Sequence, residues 1–112
     1  MTDKKLKKLL SDLQYELQSL LGEKLVKVIL YGSYANKTFD EESDVDIMVL
    51  TKLTGRELKQ IDEKVNKLVV EFSLKYDLLV SIFLKPADEF YKFSEVIPFY
   101  KSVLEHGITL YG

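Results

Sequence analysis

The order of hydrophobic and polar positions divides the chain into short, distinct elements. Leu6, Leu9, Leu10, Leu13, Leu17 and Leu20 or Leu21 recur at three- and four-residue steps, the spacing that puts apolar side chains on one helical face. This predicts an amphipathic helix over the first twenty residues, with Thr2 or Asp3 able to cap its start and Gly22 as its stop. LVKVILY, from Leu25 to Tyr31, is short, rich in β-branched residues and bounded by glycines, so it reads as a mostly buried strand. VDIMVL, from Val45 to Leu50, reads as a second. After Gly55, the residues Leu58, Ile61, Val65, Leu68, Val69 and Phe72 share a face and predict a long helix to about Lys75. The run from Asp77 to Leu84 is expected to be a third strand, stopped by Lys85-Pro86. Two short helical stretches, Asp88 to Phe93 and Pro98 to Glu105, precede Gly107 and a final ITLY.

The predicted order is helix, strand, strand, helix, strand, helices, with no repeat and no Pro/Gly-rich linker. Strands alternating with helices argue for an α/β or α+β layer in which helices cover a small sheet. With 112 residues the chain is expected to form a single domain, 1–112, too small for a catalytic domain plus a separate substrate domain. Anything bulky that it acts on would have to be held partly by a partner.

Composition narrows the chemistry. A formal net charge of -2 gives no overall basic footprint, so nucleic acid is not the expected partner. Absence of cysteine removes disulfides, thiolate zinc sites and thiol nucleophiles together, and it fits a reducing, cytoplasmic setting. MTDKKLKKLLSDLQ has no continuous apolar core of signal-peptide type, and no run approaches the roughly 18 apolar residues of a membrane span. A soluble protein without membrane contact is expected.

The candidate chemistry lies between the first two strands, in YGSYANKTFDEESDVDIMVL. Side chains alternate along a strand, so Asp44 and Asp46 point the same way while Val45 and Ile47 enter the core. Two like charges so close are costly unless a proton or a cation relieves them. Hard divalent cations such as Mg2+ prefer carboxylate oxygens and are commonly held by one or two of them together with substrate phosphates. Gly32-Ser33, at the end of the first strand, could supply the phosphate side. Glycine there permits close backbone approach, and a helix starting at Ser33 would aim free N–H groups at an anion. Lys37, and with less reason Lys52, could add positive charge.

Gly32-Ser33, ten intervening residues and Asp44-Val45-Asp46 resemble the signature of the nucleotidyltransferase superfamily, in the short form of the minimal nucleotidyltransferases. The resemblance extends over the whole chain in its order of elements. It implies a mixed sheet, bound Mg2+, and transfer of a nucleoside monophosphate from a triphosphate such as ATP to an acceptor hydroxyl. It also implies a partner, since members of this size are often paired with a helical HEPN-type toxin that several of them adenylylate as antitoxins. The family usually carries a third acid on a later strand. Asp77 is the only acidic residue in or at the edge of the LLVSIFL strand, so it is the candidate third metal ligand or acceptor base. Where many relatives have arginine, this chain has Asn36 followed by Lys37, which would rearrange the triphosphate contacts.

Plainer roles stand beside these. Asp40, Glu41 and Glu42 are expected in a solvated loop, and Lys4, Lys5, Lys7 and Lys8 on the exposed face of the first helix. His106 is placed to meet the carbonyls of a helix end. Phe90, Tyr91, Phe93, Phe99 and Tyr100 are dense for so short a tail: they are expected in the core, or at a protein interface if incompletely covered. Besides the Mg2+-dependent transferase acting on a protein, two readings remain open: a module of the same fold that binds its partner by contact, and a transferase for a small molecule or an RNA end.

Overall fold

The computed structural model describes residues 3–32, 35 and 44–112. Its elements in chain order are α1 (Asp3–Leu21), a single 3-10 turn (Gly22–Lys24), β1 (Leu25–Tyr31), β2 (Val45–Thr51), α2 (Gly55–Tyr76), β3 (Val80–Pro86), α3 (Ala87–Phe93), α4 (Pro98–His106) and β4 (Ile108–Tyr111). The four strands form one mixed sheet in the order β3-β2-β1-β4. β1 is antiparallel to both β2 and β4, whereas β2 and β3 run parallel. The parallel pair is joined by α2, the crossover that parallel neighbours require.

The sheet is covered on both faces, and strand alternation decides which side chain goes where. Val28 and Leu30 of β1, Val45, Ile47 and Val49 of β2, and Val80 of β3 pack with Leu9, Leu13, Leu17, Phe72 and Tyr76 of α1 and α2. The opposite face sets Ile29, Met48 and Leu50 against Ala87, Phe90, Tyr100 and Val103 of α3 and α4. Leu25 and Val28 reach the same face although three residues apart, because the β1–β2 register shifts between Leu25 and Lys27. The helical phase of the leucines in α1 is the expected one: Leu9, Leu13 and Leu17 are fully buried.

Element ends are set by local chemistry. Gly22 has φ +54°, a conformation open to glycine, and it ends α1. α2 opens on a capping box, in which the Thr54 hydroxyl accepts from the Glu57 N–H at 3.2 Å and the Glu57 carboxylate accepts from the Thr54 N–H at 3.0 Å. Its last turn is tied to α1 by the Tyr76 hydroxyl, which donates to Asp12 Oδ2 at 2.6 Å.

Three expectations need correction. The third strand begins at Val80, not Asp77, because Asp77 is the left-handed C-cap of α2, with φ 52° and ψ 48°. It also runs through Pro86 instead of stopping before it; Pro86 pairs with Thr51 on an edge strand, where a missing N–H is tolerated. The final ITLY, assigned no element, is β4, whose Ile108 pairs with Leu30. The aromatic tail divides: Phe90 is fully buried and Tyr100 nearly so, while Tyr91, Phe93 and Phe99 remain partly exposed. Thr2 lies outside the described residues, and α1 starts at Asp3.

Candidate active site

Pairing places Gly32, Asp44 and Asp46 at one end of the sheet. β1 ends at Tyr31, and because β2 runs the opposite way, the start of β2 lies beside that end, with Tyr31 opposite Asp46. β3 runs parallel to β2, which sets Ser81 opposite Asp46 on the other side. The Val45 N–H donates to the Leu79 carbonyl at 2.8 Å and fixes the entry to both strands. Since Val45 and Ile47 enter the core under α1 and α2, alternation turns Asp46 to the face carrying α3 and α4.

Asp44 immediately precedes β2, and both it and Asp46 are half-buried. The Asp46 carboxyl titrates above the ordinary carboxylate value, first because burial penalises its charge and second because Asp44 stands close. Gly32 completes the arrangement. A Cβ on it would come within 2.6 Å of Asp46 Oδ2, and its φ is +77°. Glycine is thus required twice over, by conformation and by the carboxylate lying against its backbone. The Tyr31 hydroxyl is pushed up to about 12 by burial and by the Asp46 charge, so it stays protonated at neutral pH.

The donor set suits a hard divalent cation. Two carboxylates, one with its charged form disfavoured by its neighbour, would be relieved by a cation between them, and the ion's other positions would go to water and phosphate oxygens, as Mg2+ prefers. Among the described residues no group of three acidic, histidine or cysteine side chains is placed to hold a metal. Asp77 therefore does not stand with Asp44 and Asp46 in such a cluster; it caps α2. Ser33, Asn36 and Lys37 lie outside the described residues, as does the acidic run Asp40 to Glu42. Lys52 follows the far end of β2, six residues beyond Asp46 and roughly 20 Å away at the rise of a strand, which removes it from this site.

A cavity of about 250 Å³ opens on Gly32 at the end of β1, lined by Tyr31, Phe99, Ser102, Val103, His106 and Gly107 as well. The exposed Phe99 ring meets the edge of Tyr31 at 5.5 Å and of Phe83 at 6.1 Å, so it bridges β1 to β3 over this face. Sequence reasoning missed this wall. The available signal was the spacing of Phe99, Ser102 and His106, which falls on one face of a helix. A larger groove of about 340 Å³, between α1 and α2, mixes Glu16 and Glu71 with Lys64 and Lys67 and lies on the layer away from the carboxylates.

Residues 4–109 match the family described as Nucleotidyltransferase domain. A protein of Methanocaldococcus jannaschii named as a putative protein adenylyltransferase is 40% identical over 75 residues, covering 65% of this chain and 72% of the relative. A second protein of that organism with the same description is 30% identical over 95 residues, covering 85% of this chain and 87% of the relative. Two solved structures share the fold: a toxin–antitoxin with AMP-PNP, at 22% identity and TM-score 0.52, and the toxin–antitoxin MntA-HpeT carrying two Asp-to-Glu substitutions, at 21% and 0.51. Each alignment covers all of this chain and 74% of the other. The four-stranded mixed sheet with its helical layers carries the family match over nearly its whole length: the chain belongs to the nucleotidyltransferase domain family.

Proposed function

We propose that the protein transfers AMP from ATP to a hydroxyl of a partner protein in a Mg2+-dependent reaction, and that the partner is a HEPN-type toxin which the modification silences. The observation that carries this reading is the Asp46 carboxylate held against Gly32 at the mouth of β2, with Asp44 close to it. The names of the relatives and the toxin–antitoxin neighbours support the acceptor class and the partner.

In this reading the triphosphate lies along the backbone at Gly32, with Ser33 and Lys37 contributing a hydroxyl and a positive charge. Asp44 and Asp46 would hold Mg2+, which supplies charge neutralisation on the phosphates and a lowered acceptor pKa when bound. The acceptor oxygen attacks the α-phosphorus in line. The new P–O bond forms as the bond to pyrophosphate breaks, the acceptor proton passes to water, and pyrophosphate leaves. No protein nucleophile is needed. The half-buried position of Asp46 excludes part of the solvent and strengthens the pair's hold on a cation. In this reading the acceptor hydroxyl is carried to the open side of the site by the partner. Action in the cytoplasm fits the cysteine-free sequence, and no helix among the described residues is long and apolar enough to cross a membrane.

One observation favours a second reading. No third acid joins the pair among the described residues, and Ser81 occupies the β3 position beside Asp46. A chain that keeps the fold while acting on its partner by contact would tolerate this. ATP labelled separately on the α- and γ-phosphates, incubated with the protein, Mg2+ and the product of the adjacent reading frame, separates the two. Transferase action puts α-label on that product and leaves γ-label in pyrophosphate. Silencing of the partner with no label on it would establish contact instead.

A further inference from the structure

We infer that the cavity between the end of β1 and α4 is the seat of the nucleobase, with the rings of Tyr31 and Phe99 as its walls and Ser102 and His106 at its polar edge. This rests on the nucleotidyl-transfer reading and places a part of the substrate that the carboxylate site leaves unassigned.

Three features point to a base. The cavity shares Gly32 with the carboxylate corner, so a nucleotide whose phosphates lie at that corner has its base within the reach of one ribose. Its volume, about 250 Å³, is below the roughly 300–1,000 Å³ of pockets that enclose a drug-sized ligand, so it suits one planar ring system and not a whole nucleotide. Its walls suit a flat heterocycle as well. The two rings meet edge to face at 71°, so a planar guest can lie on one ring while its rim meets the other. Phe99 is 41% exposed, which leaves apolar ring surface for stacking. At the edge, the Ser102 hydroxyl can donate and accept, and the imidazole of His106 can do either according to its tautomer. A wholly aliphatic guest would leave those groups unused. An acceptor side chain carried on a partner needs no pocket of this kind, since it enters from the open side of the site.

The decisive variant is Ser102→Trp, which fills the cavity from an exposed position on α4, tested beside Phe99→Leu, which removes the stacking surface. Calorimetric affinities for Mg2+-ATP and for inorganic tripolyphosphate, which has no base, are compared with those of the wild type, with circular dichroism melts confirming the fold. The expected result is a loss of about tenfold or more in ATP affinity for Ser102→Trp, and a smaller loss for Phe99→Leu, with tripolyphosphate bound equally by all three proteins. Unchanged ATP affinity in both variants overturns the assignment and leaves nucleotidyl transfer standing. Equal loss of both ligands overturns it too, since the cavity would then serve the phosphates. Normal ATP affinity with lost transfer to the partner would give the cavity to the acceptor. A wild-type protein that binds neither ligand and transfers no label would remove the transferase reading itself, and the inference with it.

Discussion

The carboxylate of Asp46 occupies the space that a side chain on Gly32 would need: its Oδ2 lies 2.6 Å from the position of a Cβ there, and φ of Gly32 is +77°. Gly32→Ala should therefore act on both terms. The left-handed conformation costs a non-glycine residue roughly 1–3 kcal/mol, which denaturant midpoints would read as lost stability. The displaced carboxylate should reduce nucleotidyl transfer by more than about tenfold, a loss that corresponds to 1.4 kcal/mol at the transition state. Normal transfer by the alanine variant would separate Gly32 from the site.

A prediction about pH follows from the Asp46–Asp44 pair. Asp46 has a raised pKa in the folded protein, so the folded state holds its proton more tightly than the unfolded chain does. This contribution to stability is fully present below the ordinary value of 3.8 and is lost as pH rises through the folded value. In metal-free buffer Asp46→Asn should melt higher than the wild type at neutral pH, with the gap closing on acidification. Added Mg2+ should raise the melting temperature of the wild type and leave the variant nearly unchanged. A variant less stable than the wild type at neutral pH would contradict the repulsion argument.

The Tyr76–Asp12 hydrogen bond makes an independent prediction on the α1–α2 layer. Burial, the hydrogen bond to Asp12 and the Asp12 charge push the Tyr76 hydroxyl up to about 12. Its stabilisation is complete below 10, the ordinary tyrosine value, and is lost as pH rises through the folded value. Asp12 is held low, chiefly by the same hydrogen bond, so its share is present above 3.8 and is lost as pH falls. Tyr76→Phe should flatten both limbs of a stability–pH curve measured by denaturant unfolding. Unchanged limbs would mean that the bond carries no linkage.

Asp77 can be separated from catalysis by two substitutions. Asp77→Gly removes a residue from a left-handed C-cap and should stabilise the protein by about 0.5–1 kcal/mol, with transfer unaffected. Asp77→Asn keeps the tolerance for that conformation and removes the charge, and it should also transfer normally. A folded asparagine variant that has lost transfer would bring Asp77 back to the metal site.

What could be read from the sequence followed the strength of each local signal. The leucine spacing of α1 is long and periodic, and the runs of β1 and β2 are short, apolar and rich in β-branched residues, so all three elements appear where the pattern puts them. The face that Asp46 takes was legible because alternation along β2 decides it, and Asp44 stands close just before the strand. The start of β3 was not, because Tyr76-Asp77-Leu78-Leu79 continues the apolar pattern of a strand, while the left-handed turn at Asp77 carries no compositional mark beyond an aspartate. β4 was missed because four residues near a terminus have too little pattern of their own; long-range pairing with β1 makes them a strand. The cavity wall escaped for a similar reason. Phe99 and Tyr31 are 68 positions apart, and only the docking of α4 on the sheet brings them together.

If the Asp44–Asp46 pair drives transfer of a nucleoside monophosphate, the partner must gain mass only when both carboxylates are present. The most direct measurement is the intact mass of the partner, taken from the product of the adjacent reading frame, after incubation with ATP and Mg2+ and either the wild type or the Asp44→Asn, Asp46→Asn variant. The wild type should add one AMP or more, abolished by chelating the metal, and a variant that remains folded should add none. An AMP gain of the same size from the double variant would contradict this role of the pair.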